Sequence, residues 1–314
     1  MKDAEKANER HTVAADLIAV LVAVANGQPS VLTIQKSNAL PSGPFELGHR
    51  SLQSGLRDWV EQQTGHPLGY IEQLYTFADR DRIEGERTRR VISISYLGLT
   101  REDLAGGSPQ PGWRSWYDYF PWEDHRTGTP ALVSDILAPR LRKWAEEIED
   151  RDARQDRWQR VSMAFGLDRG WNEELVLQRY ELLYEAGLVE EARRGDKIAG
   201  AQSIAGRSMI ADHRRILATG IARLRTKIKY RPVVFELMAP VFTLLQLQRS
   251  VEALAGLLVH KQNFRRLIEQ QELVEETGET TADTGGRPAK LFRFRHAVLA
   301  ERSIAGTKLP LSRA

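Results

Sequence analysis

Hydrophobic residues recur with the period of strands and then of a helix in the N-terminal part of the chain. Residues 14–34 are β-branched and apolar apart from Asn26-Gly27-Gln28-Pro29, which predicts two strands joined by a turn. Residues 51–64 carry apolar positions on one helical face, and Gly65 follows as a stop signal. Two further strand-like segments are residues 70–77 and 91–99. This part of the chain therefore reads as a compact α+β unit.

The pattern becomes helical between residues 130 and 231, which are rich in Leu, Ala, Glu and Arg. The predicted helices are residues 134–150, 152–165, 172–193 and 208–229. The last one stands out because residues 207–231 contain eight Lys and Arg but one acidic residue, Asp212. Its pattern fits a strut that faces DNA, a dimer helix or a solvated linker.

A third pattern begins after residue 232. Thr243 and Gln246 have the spacing of a capping box at the start of a helix, and Gly256 ends that helix. A second short helix is predicted over residues 260–271 and is followed by apolar strands on either side of a polar turn at Gly285-Gly286. Helix, turn, helix and two-stranded ribbon is the order of a winged helix-turn-helix.

The second helix of this unit has one apolar and one basic face. Its apolar residues Phe264, Leu267 and Ile268 are predicted to face the core. The residues expected to face outward are Lys261, Gln262, Arg265 and Arg266, and Asn263 lies beside them. These side chains suit phosphate oxygens and base edges, and Arg287 and Lys290 of the ribbon suit the backbone or the minor groove. We expect these seven residues to contact double-stranded DNA; the alternative is a basic face that is merely solvated.

The amino-acid composition excludes several kinds of site but does not identify a binding partner. The 45 Lys and Arg against 42 Asp and Glu leave a net charge of +3, and the chain has no cysteine. Disulfides, zinc–thiolate sites and thiol nucleophiles are excluded. The longest apolar run, residues 17–25, is far shorter than the ~20 residues that span a bilayer, so we expect a cytoplasmic protein without a membrane partner. The histidines lack metal-ligand spacing, so neither a metal nor another cofactor is expected.

Several segments resemble one known family when taken in order. They are Tyr-Ile-Glu-Gln-Leu-Tyr-Thr-Phe at 70–77, Arg-Val-Ile-Ser-Ile-Ser-Tyr-Leu-Gly-Leu at 90–99, Asp-His at 212–213, Arg-Leu-Arg-Thr-Lys-Ile-Lys-Tyr at 223–230, Phe-Glu-Leu-Met at 235–238, Asn-Phe-Arg-Arg at 263–266 and Gly-Arg-Pro-Ala-Lys-Leu-Phe at 286–292. This series resembles the Nudix-related transcriptional regulators of NAD metabolism, the NrtR family. The resemblance implies a repressor with an effector domain that senses ADP-ribose or a related NAD metabolite, and a dimeric winged helix that binds DNA.

The resemblance and the patterns together predict the fold class and four regions. The fold class is α+β, with a Nudix-like α/β/α sandwich, an inserted helical region and a C-terminal winged helix-turn-helix. The regions are a Nudix-like effector domain at 12–124, an inserted helical subdomain at 125–206, a linker or dimer helix at 207–231 and a winged-helix domain at 232–300. The insertion of about 80 residues departs from the family, whose members mostly have a short connection there.

Hydrolysis by a Nudix enzyme requires several glutamates on one helix to hold Mg²⁺. When the motif is aligned on Gly65, its paired-glutamate positions hold Gln62 and Gln63 and no glutamate remains. A register shifted by one residue keeps only Asp58 and Glu61 as acids. We therefore predict a non-catalytic sensor. The alternatives are a residual nucleoside-diphosphate hydrolase with an accessory winged helix, and an interaction module whose winged helix binds protein.

Candidate effector contacts lie in and around the predicted sheet of the N-terminal unit. The candidates are Lys36, Glu72, Tyr75, Arg89 and Arg90, with solvated loop positions as the alternative for each. Six aromatic residues also lie within residues 113–122. They fit either a stacking platform for a base or a packing surface for the inserted helices or a second subunit.

Overall fold

The computed structural model describes residues 12–78, 89–101, 112–168, 170–193, 206–282 and 288–295, and leaves the side chains of Thr12, Arg89, Arg90 and Arg193 undescribed. The strands are β1 Thr12–Ala25, β2 Gln28–Leu32, β3 Ser42–Pro44, β4 Ile71–Phe77, β5 Arg89–Leu99, β6 Trp113–Ser115, β7 Val274–Thr281 and β8 Ala289–Phe294. The α-helices are α1 Leu52–Thr64, α2 Ala138–Glu146, α3 Arg151–Phe165, α4 Val176–Glu185, α5 His213–Tyr230, α6 Leu244–Ala255 and α7 Lys261–Gln270.

A mixed sheet with the order β4-β5-β1-β2-β6 forms the centre of the N-terminal unit, and β3 also pairs with β1. β1 runs parallel to β5 and antiparallel to β2 and β3. Because successive side chains of a strand point to opposite faces, β1 supplies two cores. Leu17 and Leu21 pack with Leu56 of α1, whereas Val20 and Val22 belong to the larger core that includes α5.

The local signals at the turn and at α1 give the predicted structures. Asn26 and Gly27 both have positive φ angles, of 51° and 71°, as the tight turn between β1 and β2 requires. Ser51 caps the N-terminus of α1 through a hydrogen bond from the Ser54 amide, and Gly65 ends the helix in the left-handed conformation. The hairpin and this helix are therefore confirmed.

Helix α5 forms the second helical layer over the sheet. The approach is close at Gly220, where an added Cβ would lie 2.8 Å from Cγ1 of Val20. With α1 on one face and α5 on the other, the sheet is the middle of an α/β/α sandwich, as predicted. Residues 207–231 are thus packed against the sheet through α5, and the predicted boundaries of the four regions remain predictions.

The helices of the region predicted as an insertion, residues 125–206, differ from the prediction at their ends. The segment predicted at 134–150 begins as a π-helical turn, Val133–Leu137, and continues as α2 only to Glu146. The prediction of one helix over 172–193 is wrong, because Gly187 is left-handed after α4 and a separate 3-10 turn, Glu190–Arg193, follows. The helix predicted from residue 208 begins instead at His213.

The aromatic segment over residues 113–122 is interior. Trp116, Tyr119, Phe120 and Trp122 are fully buried in the core shared by the sheet, the inserted helices and α6. Burial leaves no open ring face on these four for stacking a base, so within the described chain they are a packing surface. Among all the residues that the structure describes, no helix has the length and apolar character needed to cross a membrane.

Candidate nucleic-acid interface and effector face

The C-terminal unit has the architecture of a winged helix. Thr243 and Gln246 form the predicted capping box at the start of α6, and Gly256 ends that helix with φ at 71°. Phe242 and Phe292 form an antiparallel bridge, which adds a short third chain segment beside the β7–β8 ribbon. Phe235 stacks on Phe294 with ring centroids 4.3 Å apart. These contacts hold the ribbon against the segment that precedes α6.

Two buried polar residues of α6 hold the turn that leads to α7. The Glu252 carboxylate accepts hydrogen bonds from Nε2 of Gln248 at 2.9 Å and from the amide of Val259 at 3.0 Å. Nε2 of Gln248 also donates to the Val259 carbonyl oxygen at 3.3 Å. The turn is therefore tied to α6, and this fixes the direction in which α7 leaves it.

Helix α7 divides into the two predicted faces. Phe264 and Ile268 are each 1% exposed, and Leu267 is half-buried. Its exposed side chains include the five predicted DNA contacts, Lys261, Gln262, Asn263, Arg265 and Arg266, as well as Glu269 and Gln270. In the part of the chain that the structure describes, the three cations of this set form no ion pair. Their charges are available to an outside ligand, while their contact with DNA remains a prediction.

The cations of the β7–β8 ribbon are less available to an outside ligand than the cations of α7. Lys290 is exposed, but its Nζ contacts Oε1 of Glu276 at 2.9 Å. Nε of Arg293 contacts Oε1 of Glu275 at 2.6 Å. Arg287, the other predicted ribbon contact, lies outside the described residues. The described ribbon thus balances its cations with acids of the facing strand.

The basic helix α5 is neutralised inside the molecule. Its internal ion pairs are Arg214–Glu191, Arg215–Glu181, Arg225–Glu123, Lys227–Glu72 and Lys229–Glu173. Five of the eight cations counted in 207–231 are therefore paired with acids of this chain. The helix is a charged but internally compensated layer of the sandwich, and this differs from both a solvated linker and a free basic face.

One buried cluster consists of a carboxylate and two guanidinium groups. Glu123, Arg179 of α4 and Arg225 of α5 are all fully buried. Oε1 of Glu123 accepts from Nε of Arg179 at 2.5 Å, and Oε2 accepts from Nη1 of Arg225 at 2.5 Å. Burial alone would raise the pKa of Glu123, but the two guanidinium groups outweigh it and lower the pKa below the ordinary value.

This cluster continues into the winged helix. Nε of Arg225 donates to the Leu254 carbonyl oxygen at 2.9 Å, and the Tyr117 hydroxyl donates to the Ala253 carbonyl oxygen at 2.7 Å. The amide of His125 donates to the Gly256 carbonyl oxygen at 2.8 Å. The C-terminal turn of α6 is thus hydrogen-bonded to the sandwich and to α5.

Two predicted effector residues lie on the edge strand β4. Glu72 is half-buried, pairs with Lys227 of α5 and accepts a hydrogen bond from the Tyr70 hydroxyl at 2.7 Å. Tyr75 is 60% exposed, and its ring meets that of Phe77 edge to face. Tyr75 is open to a ligand, whereas Glu72 already serves an internal contact.

Lys36 lies across the sheet from these two. Strands β5 and β1 separate β4 from β2, which corresponds to ~14 Å at the usual strand spacing. Lys36 is exposed at the centre of a left-handed turn, with φ angles of 51°, 57° and 69° at residues 35, 36 and 37. The Tyr119 hydroxyl and Nε of Arg114 hold this turn through Ser37, at 2.7 Å and 2.8 Å. Three left-handed non-glycine residues in succession are costly, so these contacts maintain the turn.

Arg89 and Arg90 begin β5, where they pair with residues 12 and 13 of β1, and their side chains lie outside the described part. The structure therefore gathers Glu72 and Tyr75 on one strand and sets Lys36 apart from them. The assignment of all five residues to an effector remains a prediction.

Helix α1 uses the positions of a Nudix box for structural contacts. Nε2 of Gln63 donates to the Ser42 carbonyl oxygen at 2.7 Å, and the Trp59 indole donates to the Pro44 carbonyl oxygen at 2.9 Å. Asp58 and Glu61 are exposed on the helix. Throughout the described ranges, no group of three or more His, Asp or Glu side chains has the geometry to hold a metal ion.

Sequence reasoning missed the buried arginines, although α5 carries a signal for them. Arg214 and Arg225 are eleven positions apart, which is close to three helical turns. This spacing puts both on the face that also carries Leu217, Ile221 and Ile228. A cation at the period of the apolar face indicates a buried ion pair, and its acidic partner is what the sequence leaves unidentified.

Comparison with known proteins agrees with the winged helix and the overall fold. Residues 234–294 match the family model described as the NrtR DNA-binding winged helix domain. A curated relative, the ADPR responsive transcriptional repressor NtrR of Acinetobacter baylyi, is 40% identical over 83 residues, which are 26% of this chain and 33% of the relative. The match thus spans about a third of that relative's length.

Two solved structures share the fold across almost the whole chain. Shewanella oneidensis NrtR complexed with a 27mer DNA aligns with a TM-score of 0.51 and 21% identity, and covers 91% of this chain and 95% of its own. Shewanella oneidensis NrtR by itself aligns with a TM-score of 0.51 and 20% identity, over 90% and 94% of the two chains. The predicted resemblance and the predicted fold class are confirmed.

Proposed function

We propose that this protein is a ligand-responsive DNA-binding transcriptional repressor, whose winged helix binds operator DNA and whose non-catalytic Nudix-like sandwich senses a nucleotide. The observation that carries the proposal is the outer face of α7. Its exposed cations Lys261, Arg265 and Arg266 are unpaired among the described residues, in a domain that matches a DNA-binding family model. The cations Arg214, Arg215 and Arg225 of α5, by contrast, are paired with acids of this chain.

The predicted DNA contacts have distinct tasks. Arg265 and Arg266 offer planar guanidinium groups for guanine edges or phosphates, and Gln262 and Asn263 suit adenine edges. Lys290 has to exchange Glu276 for a phosphate in order to contribute. We therefore expect α7 to supply most of the affinity and the ribbon to supply less.

Fluorescence anisotropy with the upstream DNA of the protein's own gene tests the proposal. We expect sequence-preferring binding that weakens steeply with salt, because cations on phosphates release counterions. The double variant Arg265→Ala/Arg266→Ala should bind at least tenfold more weakly, with a salt slope about two units shallower if both side chains contact phosphate.

The matched control removes two exposed cations of α2, Arg140 and Lys143. The variant Arg140→Ala/Lys143→Ala lowers the net charge equally and should leave the affinity within about twofold. Equal losses in the two variants would reduce the interaction to general charge attraction. Absence of salt-dependent binding would favour the alternative in which the winged helix binds protein.

The sensing half of the proposal is supported by the Acinetobacter baylyi relative, whose description is ADPR responsive. We propose ADP-ribose or a related NAD metabolite as the effector, with Tyr75 as its accessible contact and Lys36, Glu72, Arg89 and Arg90 as further candidates. Addition of ADP-ribose should release DNA in the anisotropy assay, and Tyr75→Ala should weaken the response without weakening DNA binding itself. A ligand acts this way only if its affinity differs between the DNA-bound and free arrangements.

The absence of hydrolysis is also a proposal, supported by the use of Gln63 and Trp59 in structural contacts of α1. Incubation with ADP-ribose and Mg²⁺ should give no turnover above background. Turnover that disappears in Glu61→Gln would instead establish a residual hydrolase.

A winged helix that reads two half-sites works as a symmetric dimer, and we propose a homodimer that acts in the cytoplasm. Multi-angle light scattering should give twice the mass of 35.6 kDa. A monomer mass with and without DNA would contradict the dimer.

A further inference from the structure

The inserted helical region contains a basic groove between α2 and α3. Its volume is about 310 Å³. The lining residues that matter here are Arg142, Ala145, Glu146, Arg151, Arg154 and Trp158. Ala145 is 1% exposed and keeps the floor of the groove low, since it has no side chain beyond Cβ. Three guanidinium groups and one carboxylate leave the lining with two net positive charges.

None of the three arginines forms an ion pair with another described residue. The Arg142 guanidinium lies over the Trp158 ring, 3.9 Å from its centroid, and forms no ion pair there. Arg151 is exposed and likewise forms none among the described residues. Arg154 donates from Nε and Nη2 to the Ile148 carbonyl oxygen, at 3.2 Å and 2.9 Å, which positions its guanidinium at the end of α2.

A lack of nearby acidic residues does not explain why these arginines form no ion pair. The connection between the helices is acidic, with Glu147, Glu149 and Asp150 exposed next to the groove but absent from its lining. Elsewhere the chain pairs its arginines readily, as Arg160 of α3 does with Glu185 at 2.6 Å. Cations that converge on a groove without an ion pair to a described residue are available to an external anion.

We propose that this groove binds a small phosphate-bearing ligand with an aromatic ring, the chemistry of a nucleotide. Guanidinium groups match phosphate oxygens in a bidentate geometry. The Trp158 face that the Arg142 guanidinium covers is offered to the aromatic part of the ligand when Arg142 turns to the phosphates. The volume lies at the lower end of small-ligand sites, which suits one nucleotide better than a macromolecule. The site is separate from α7 and from β4, and it gives the inserted region a ligand-binding role beyond the proposed function.

Calorimetric titration of the full chain with ADP, pyrophosphate and adenosine tests the proposal. ADP should bind most tightly, because it combines the phosphates with a ring. The variant Arg142→Ala/Arg151→Ala should weaken ADP binding at least tenfold, as expected for the loss of charge-assisted hydrogen bonds. Arg140→Ala/Lys143→Ala removes two neighbouring cations that do not line the groove and should stay within about twofold.

A local probe separates binding in this groove from binding at the candidate effector residues Glu72 and Tyr75 of β4. In protein labelled with 5-fluorotryptophan, the ¹⁹F resonance of Trp158, assigned through Trp158→Phe, should shift on addition of ADP. Heat of binding with an unmoved Trp158 resonance, or with unchanged affinity in Arg142→Ala/Arg151→Ala, would place the nucleotide elsewhere and overturn the proposal. Equal affinities for ADP and pyrophosphate, or for ADP and adenosine, would overturn the assignment to a nucleotide. DNA binding by α7 is measured independently, so failure here leaves the proposed function standing.

Discussion

Replacement of Glu123 by glutamine should destabilise the protein strongly, because it leaves two buried guanidinium groups without their counter-charge. Glu123, Arg179 and Arg225 have no exposed side-chain surface. The carboxylate accepts three charge-assisted hydrogen bonds, at 2.5, 2.8 and 2.5 Å. Removal of one partner of such a buried cluster costs about 3–5 kcal/mol, and the glutamine amide adds a donor that faces other donors.

Equilibrium unfolding in urea, followed by far-ultraviolet circular dichroism and by tryptophan fluorescence, measures the loss. The matched control is Glu185→Gln, which breaks the 2.6 Å pair with Arg160, whose two side chains are about half exposed. An exposed pair contributes about 0–1 kcal/mol, so the two variants should differ severalfold. Coincident transitions from the two probes would justify comparing free energies of unfolding.

Acid provides a second measurement of the same cluster. Because the folded pKa of Glu123 is lowered, its contribution is complete above the ordinary value of 4.5 and is lost as the pH falls through the folded pKa. The gap between the native protein and Glu123→Gln should therefore narrow at low pH. A loss below about 1 kcal/mol near neutral pH, equal to that of Glu185→Gln, would refute the reasoning that the buried charge is decisive.

Three further outcomes are expected. Burial lowers the pKa of His125 to about 4. The native protein should therefore lose up to ~3 kcal/mol of stability as the pH falls from 6.5 to 4, because the unfolded state binds the proton first. Unfolding measured as a function of pH should show a smaller loss over this range in His125→Gln. Gly256→Ala puts a Cβ 2.4 Å from the Glu123 carbonyl oxygen at a φ of 71°, and should lower the stability measured by thermal unfolding by about 2–5 kcal/mol. The control Gly65→Ala has a similar φ of 70° but open space around the new Cβ, and should cost only about 1–2 kcal/mol. Equal costs in the two variants would contradict the close contact. Thr243→Ala removes the cap of α6 and should cost about 1 kcal/mol by denaturant unfolding, and no measurable loss would show that the cap is dispensable.

Local signals were sufficient wherever a few neighbouring residues decide the structure. The hairpin at Asn26-Gly27 requires positive φ angles that these residues adopt easily. The capping box of α6 satisfies the start of that helix with side chains three positions apart, and Gly65 ends α1. The faces of α7 follow in the same way from the helical period, with Phe264 buried and Arg265 exposed. The sequence therefore predicted the winged helix and the outward set of its second helix.

The ends of the inserted helices could not be read in this way. Residues on both sides of Gly187 have helical composition, and only the left-handed glycine observed there shows that the chain turns after α4. The effector candidates met a related obstacle. Lys36 follows β2 and Glu72 lies in β4, so both are close to predicted strands in the sequence. The strand order, however, places β5 and β1 between β4 and β2.

The sequence by itself determined the α+β character of the N-terminal unit, the element order of the winged helix and the basic face of α7, because hydrophobic period, caps and turn residues act over a few positions. Only the tertiary structure decided which charges remain available to a partner. The cations of α5 outnumber those of α7, yet Arg225 meets Glu123 across 102 positions of chain and Arg214 meets Glu191, whereas Arg265 and Arg266 have no such partner in the described residues. Charge pairing is a property of distance in space, and sequence separation does not report that distance.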